Sequence, residues 1–130
     1  MQFLGIKETC LYVQDLARTK NFYHNCLGFE VIGEVPGRHV FFRVGTSVLL
    51  CFIAAASQQS KLLPPHFGQG NLHLAFETTM QDYAARKAEI SAMGISIELE
   101  YDWGRGFYSF YFRDPDGHLL EVVMRGMWEA

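Results

Sequence analysis

Polar and apolar residues alternate from Ile6 to Val13, with Ile6, Glu8, Cys10 and Tyr12 on one side and Lys7, Thr9, Leu11 and Val13 on the other. A period of two predicts a strand. Asp15 follows as a helix N-cap, and Leu16, Thr19, Phe22, Tyr23, Cys26 and Leu27 recur at helical spacing up to Gly28, a residue suited to a left-handed C-cap. The spacing therefore predicts a helix over Leu16–Leu27. Three β-type segments come next, Phe29–Glu34, His39–Val44 and Ser47–Ala54, separated by the turn-forming pairs Pro36-Gly37 and Gly45-Thr46. Residues 1–56 thus read βαβββ.

After a Ser/Gln/Pro-rich connector at 57–70 the order begins again. Leu72–Glu77 alternates His73, Ala75 and Glu77 against Leu72, Leu74 and Phe76. Thr79 is the expected cap of a second helix, with Asp82 three residues on, and Gly94 ends it. Met80, Ala84, Ala88 and Ala92 recur at every fourth position, a small-residue stripe expected to pack closely on a sheet. Strands are predicted at Ile95–Tyr101, Tyr108–Arg113 and His118–Met124. The expected fold is α+β: two tandem βαβββ modules, 1–56 and 71–130, whose curved mixed sheets surround a cleft. At 130 residues the chain fits one domain.

The Asp114-Pro115-Asp116-Gly117 segment is a strong turn signal, with Pro presetting φ and Gly free to take a positive one. A hairpin there puts Leu119, Glu121 and Val123 on one strand face. Glu121 is then a carboxylate among apolar neighbours, which must find a cation, a donor or a proton.

Composition narrows the function. Hydrophobic residues make up 49% of the chain and aromatics 15%, which excludes global disorder. Eleven basic residues stand against 14 acidic ones without a basic cluster, so nucleic acid is not an expected partner. Cys10, Cys26 and Cys51 show no CxxC spacing, which points away from a disulfide framework and toward a reducing cytoplasm. The apolar run Val48–Ala56 is well short of the roughly 18–20 residues that span a bilayer, and the N-terminus lacks the basic start of a signal peptide. The expectation is a cytoplasmic protein with no membrane partner.

Val13-Gln14-Asp15-Leu16, Phe22-Tyr23, Leu27-Gly28-Phe29, Leu72-His73-Leu74-Ala75-Phe76 and Tyr111-Phe112-Arg113-Asp114-Pro115-Asp116-Gly117 through Glu121 resemble the vicinal oxygen chelate superfamily. It embraces glyoxalase I, extradiol dioxygenases, fosfomycin-resistance enzymes, methylmalonyl-CoA epimerase and bleomycin-resistance proteins. In metal-using members the first strand of each half supplies a ligand and the last strand of the second half supplies a Glu. The resemblance therefore implies Glu8, His73 and Glu121 as ligands of one divalent ion, Mn, Fe, Ni, Co or Zn. Glu8 departs from the pattern, where His or Gln is usual. Leu50 stands where glyoxalases and epimerases tend to carry a fourth ligand, and Cys51 beside it is expected to point to the opposite face.

Two carboxylates and an imidazole suit a hard or borderline cation and leave positions for a small-molecule substrate. Two carboxylates also cancel the cation's charge, which favours proton transfer over strong electrophilic activation. The implied activity is metal-dependent chemistry on vicinal oxygens, either isomerase or lyase chemistry with Glu8 or Glu121 as the catalytic base, or ring cleavage. Its alternative is a metal-free drug-binding protein of the bleomycin-resistance type. Tyr12, Trp103, Arg105, Tyr108 and Tyr111 are the candidate substrate-binding residues, and Phe110 a further candidate for the pocket wall. Related chains often pair as homodimers, in which the ligands of one cation can be drawn from two chains.

Overall fold

The alternation in the first strand is realised as β1 (Glu8–Val13), which lies parallel to β4 (Ser47–Ile53) at one edge of a sheet completed by β3 (His39–Val44) and β2 (Glu30–Val35), in the order β1-β4-β3-β2. This computed structural model describes residues 1–129. Its backbone divides into two compact units, Met1–Gly70 and the stretch from Asn71 onward. In the first unit Leu11, Val13, Val40, Phe42, Leu49 and Cys51 are buried, the apolar positions of alternate strand residues.

Asp15 caps the first helix, α1 (Leu16–Lys20), its side chain accepting from the Arg18 backbone N–H at 3.1 Å. The expected single α-helix does not continue to Leu27. From Asn21 to Cys26 the chain winds as a π-helix, with the Leu27 N–H reaching the Phe22 carbonyl five residues back at 3.0 Å. Consecutive Phe22 and Tyr23 are both buried, and a wider turn brings neighbouring positions onto one inward face. Gly28, at φ +80°, ends the helix.

The connector opens with a short helix not expected from its composition, α2 (Ala54–Gln58). Ser57 is buried and anchors the following loop: its hydroxyl donates to the His66 carbonyl at 2.6 Å, and its own carbonyl accepts from the His66 N–H at 3.3 Å. Gly68 packs so closely on the Tyr12 ring that a Cβ there would lie 2.9 Å from Cε2. Gly68→Ala is therefore expected to displace the loop or the ring at about 1–3 kcal/mol, the usual cost of overpacking. Urea denaturation measures it, and a change below about 0.5 kcal/mol would mean that the loop yields freely.

The second unit repeats the topology with β5 (His73–Thr78), β6 (Leu99–Gly104), β7 (Phe107–Arg113) and β8 (Leu119–Met124) in the order β5-β8-β7-β6, β5 parallel to β8 and the rest antiparallel. Residues 95–98, expected in the strand before the loop, precede β6. Phe110, Phe112, Leu120 and Val122 form the buried layer, against which α3 (Tyr83–Ala92) sets Tyr83, whose ring meets Phe110 edge-on at 5.4 Å.

The helix starts later than expected. Thr79 Oγ1 accepts from the Asp82 N–H at 3.1 Å and so closes the turn before the helix. The small-residue stripe is also corrected: Ala84, Ala88 and Ala92 are exposed, while Tyr83 and Ile90, seven residues apart, are buried. Large side chains remove more apolar surface from water than alanines can, and they set the rotation of the helix. Among the described residues no helix is long and apolar enough to cross a membrane.

Candidate metal centre

Strand pairing in the second unit places three side chains in a row on the sheet face opposite α3. Glu121 on β8 stands between Ala75 on β5 and Tyr111 on β7. The small Ala75 leaves room above the sheet, and His73, two residues earlier on the same strand face, leans across it to bring Nε2 to 3.3 Å from Glu121 Oε1. Glu121 is buried; His73 is about half exposed.

The imidazole is held from behind, with Nδ1 2.8 Å from the Leu119 carbonyl oxygen. A carbonyl can only accept, so Nδ1 carries the proton and donates. Nε2 of the neutral ring then presents a lone pair to a carboxylate oxygen, an acceptor facing an acceptor. The pair is stable only with a proton or a cation between the two atoms. An imidazole fixed through its far nitrogen, with a carboxylate beside its near one, fits a divalent cation in donor chemistry and in tautomer. Among the described residues, no group of three or more His, Cys, Asp or Glu is gathered to hold a metal ion.

Tyr111 stands directly opposite Glu121 across the β7–β8 pair. Burial is the main cause that pushes its hydroxyl pKa upward; the neighbouring Ser109 opposes the rise, and the Glu121 charge adds to it. Trp103 Nε1 donates to Ser109 Oγ at 2.9 Å. Tyr108 lies elsewhere. Strand alternation puts it with Phe110 and Phe112 on the helix side of β7, away from Tyr111, and Phe110 is wholly buried there. Arg105 sits in the turn after β6 at φ +58°, its guanidinium 5.7 Å from the Phe107 ring centroid.

In the first unit Glu8, Cys10 and Tyr12 share one face of β1, Glu8 exposed and the other two partly buried. Burial pushes the Cys10 thiol pKa up, and the Glu8 charge pushes it further. Lys7 donates to the Thr46 carbonyl. Leu50 pairs with Cys10, and Cys51 pairs with Leu11 and is buried, so no thiol stands at the position of the fourth ligand.

Four histidines acquire partners that the sequence did not reveal, among them His24, whose Nδ1 lies 2.6 Å from the Phe29 carbonyl oxygen, and His118, whose Nδ1 accepts from the Leu72 N–H at 2.9 Å. The Tyr12 hydroxyl meets His66 Nδ1 at 2.7 Å, and His39 stacks on Phe41 with centroids 3.9 Å apart. Burial, then the neighbouring Arg38, lowers the His39 pKa. The Tyr12–His66 contact spans 54 residues and depends on the loop that Ser57 anchors, which no local pattern encodes.

A family model, Glyoxalase/Bleomycin resistance protein/Dioxygenase superfamily, matches residues 5–122. The chain belongs to this superfamily. Within the glyoxalase/bleomycin-resistance/dioxygenase superfamily it is similar to the lactoylglutathione lyase of Agrobacterium tumefaciens, whose crystal structure superposes with a TM-score of 0.94 at 31% identity over 100% of both chains. A glyoxalase family protein from Enterococcus faecalis matches with a TM-score of 0.70 and 30% identity over 95% of this chain and 99% of its own. The glutathione transferase FosA of Serratia marcescens is 26% identical over 121 residues, 91% of this chain and 79% of that protein.

Proposed function

We propose that the chain is a divalent-metal-dependent enzyme acting on a small molecule with vicinal oxygens, with His73 and Glu121 as two ligands and Glu8 as the third. The carrying observation is the 3.3 Å approach of His73 Nε2 to Glu121 Oε1 with Nδ1 already committed to a carbonyl. Two of the similar proteins bear enzyme names that include glutathione, a lyase and a transferase. They favour thiol-adduct chemistry over ring cleavage.

A bound divalent cation would supply charge stabilisation for an oxyanion developing on the substrate. The chain's own residues do the rest. Leu119 holds the His73 ring in one tautomer, Tyr111 stands beside the Glu121 carboxylate, and Glu8, exposed at the start of β1, is the group proposed to accept a proton from substrate. Tyr12 supplies a hydroxyl on the same face of β1. We further propose that the two units work as one domain and that the chain pairs with a second copy. Phe3, Leu4 and Ile6 before β1, and Leu99, Tyr101 and Trp103 along the edge strand β6, are apolar or aromatic and exposed. Light scattering at micromolar concentration tests the pairing, and a monomer removes it.

Turnover of 2-oxoaldehyde–thiol adducts, catechols and fosfomycin plus glutathione, measured with protein loaded with Mn, Fe, Ni, Co or Zn in turn, tests the reading. The expected result is metal-dependent turnover of a thiol adduct, with kcat reduced by about 100-fold or more in Glu8→Gln, the range for loss of a general base. Tight binding of a drug-like ligand to metal-free protein, with no turnover under any loading, would instead mark a binding protein of the bleomycin-resistance type.

A further inference from the structure

The Asp114–Gly117 turn does more than close the β7–β8 hairpin. It presents His118, whose side chain is buried immediately before β8, and Nδ1 of that ring accepts from the Leu72 backbone N–H at 2.9 Å. An amide N–H can only donate, so Nδ1 carries the lone pair, the ring is neutral and its proton sits on Nε2. Leu72 is the last residue before β5, which begins at His73. The Leu119 N–H donates to the Leu72 carbonyl at 2.8 Å, and the Leu119 carbonyl accepts from His73 Nδ1 at 2.8 Å. Consecutive residues His118 and Leu119 therefore grip Leu72 and His73 through three hydrogen bonds.

His118 is itself fixed by the turn. Asp114 Oδ1 accepts from the backbone N–H groups of Asp116 and His118, each at 2.9 Å, and the Asp114 N–H donates to the His118 carbonyl at 3.1 Å. Gly117, at φ +84°, lies so near Asn71 that a Cβ there would be 3.2 Å from Asn71 Oδ1, so the turn meets the chain just before β5. Strand pairing by itself does not require the imidazole. The first unit makes the same backbone bond between the Val48 N–H and the Lys7 carbonyl, at 2.9 Å, in its own parallel pair. That bond fixes the peptide group after Leu72; the His118 ring fixes the one before it, and with both held the backbone at Leu72 sets where His73 leaves the sheet.

We propose that His118 is a positioning residue for His73: its buried ring, held by the Asp114 turn, locks the backbone at Leu72 and so keeps His73 Nδ1 on the Leu119 carbonyl and Nε2 toward Glu121. Two imidazoles of opposite tautomer result, His118 protonated on Nε2 and His73 on Nδ1. The consequence for cation affinity rests on the metal reading above, whereas the alignment of His73 does not. The Asp114–Gly117 turn thereby acquires a role beyond register, because it delivers the side chain that orients a residue on another strand.

Both tautomers can be read by NMR in metal-free, 15N-labelled protein at about pH 8.5, where free histidine is neutral. Wild-type protein is expected to show His118 protonated on Nε2, His73 on Nδ1, and a 15N–15N coupling across the hydrogen bond from the Leu72 amide to His118 Nδ1. These signals need no variant, so they test the proposal even if a substitution prevents folding. His118→Leu removes the acceptor and is expected to speed Leu72 amide exchange about tenfold, the weight of one hydrogen bond, and to turn His73 into a mixture of tautomers. His118→Asn keeps an acceptor oxygen as many bonds from the backbone as Nδ1 and is expected to restore both. Ile90→Ala, which trims a buried side chain of α3, should lower the melting temperature without changing the His73 tautomer.

Cation titration by calorimetry, using Mn, Co and Zn, should then show affinity about 10–100-fold lower in His118→Leu, the usual effect of removing a residue that orients a ligand, and close to wild type in His118→Asn. Thermal melts of the metal-free variants establish that they are folded. A wild-type His118 ring protonated on Nδ1 would overturn the proposal, as would a folded His118→Leu protein that keeps the wild-type His73 tautomer or the wild-type cation affinity. His118→Asn no better than His118→Leu would overturn it too, by reducing His118 to a filler of space. If wild-type protein takes up no cation while the His73 tautomer is lost in His118→Leu and restored in His118→Asn, the metal reading falls and the positioning role stands.

Discussion

Glu121→Ala is expected to lower divalent-cation affinity by more than about 100-fold, beyond the 10–100-fold typical of residues that only orient a ligand. The substitution removes a charged donor and leaves His73 Nε2 facing an apolar gap. His73→Ala should match it, because the proposed site needs both side chains, which approach each other across β5 and β8. Calorimetric titration of both variants checks the expectation. Thermal melts of both metal-free variants separate loss of the cation from loss of the fold. A variant that keeps wild-type affinity would place the cation elsewhere.

The second large effect is on stability. Phe110 is fully buried under α3, with the Tyr83 ring 5.4 Å away and Phe112 at 6.0 Å. Phe110→Ala removes a ring that neighbours on both sides cannot replace, at an expected cost of about 3–5 kcal/mol. For a chain of this size that lowers the melting temperature by roughly 10 °C or more. Phe107, on the opposite face of β7 and partly exposed, offers the contrast: Phe107→Ala should cost less than half as much. Equal losses from the two would mean that the second sheet buries both faces to the same degree.

The order of elements was legible because it depends on local period. Alternation in Glu8–Val13 and the Asp114–Gly117 turn locate β1 and the β7–β8 hairpin, and the hairpin register puts Glu121 beside Tyr111. The rotation of α3 was not legible, because three alanines at helical spacing look like a packing face until Tyr83 and Ile90 are seen to bury more. The π-winding of Asn21–Cys26 escaped notice for a similar reason: a pattern of apolar positions does not distinguish a widened turn from an α-turn.

At the candidate site, the alternation of β5 and β8 made His73 and Glu121 visible. Tyr108 is set apart from Tyr111 by strand parity, since residues three apart on a strand lie on opposite faces. His66 could not be found at all, because its contact with Tyr12 is made across a loop anchored by a buried serine. Ser109 was hidden for a different reason. A lone serine in a strand has no signature, and its contact with Trp103 depends on the pairing of β6 with β7.

The most direct measurement is metal content per chain in protein purified without chelator and, separately, after reconstitution with Mn, Fe, Ni, Co and Zn followed by desalting. The account predicts about one divalent ion per chain, lost in Glu121→Ala and His73→Ala. Wild-type protein that retains far less than one ion under every condition, indistinguishable from Glu121→Ala, would contradict it.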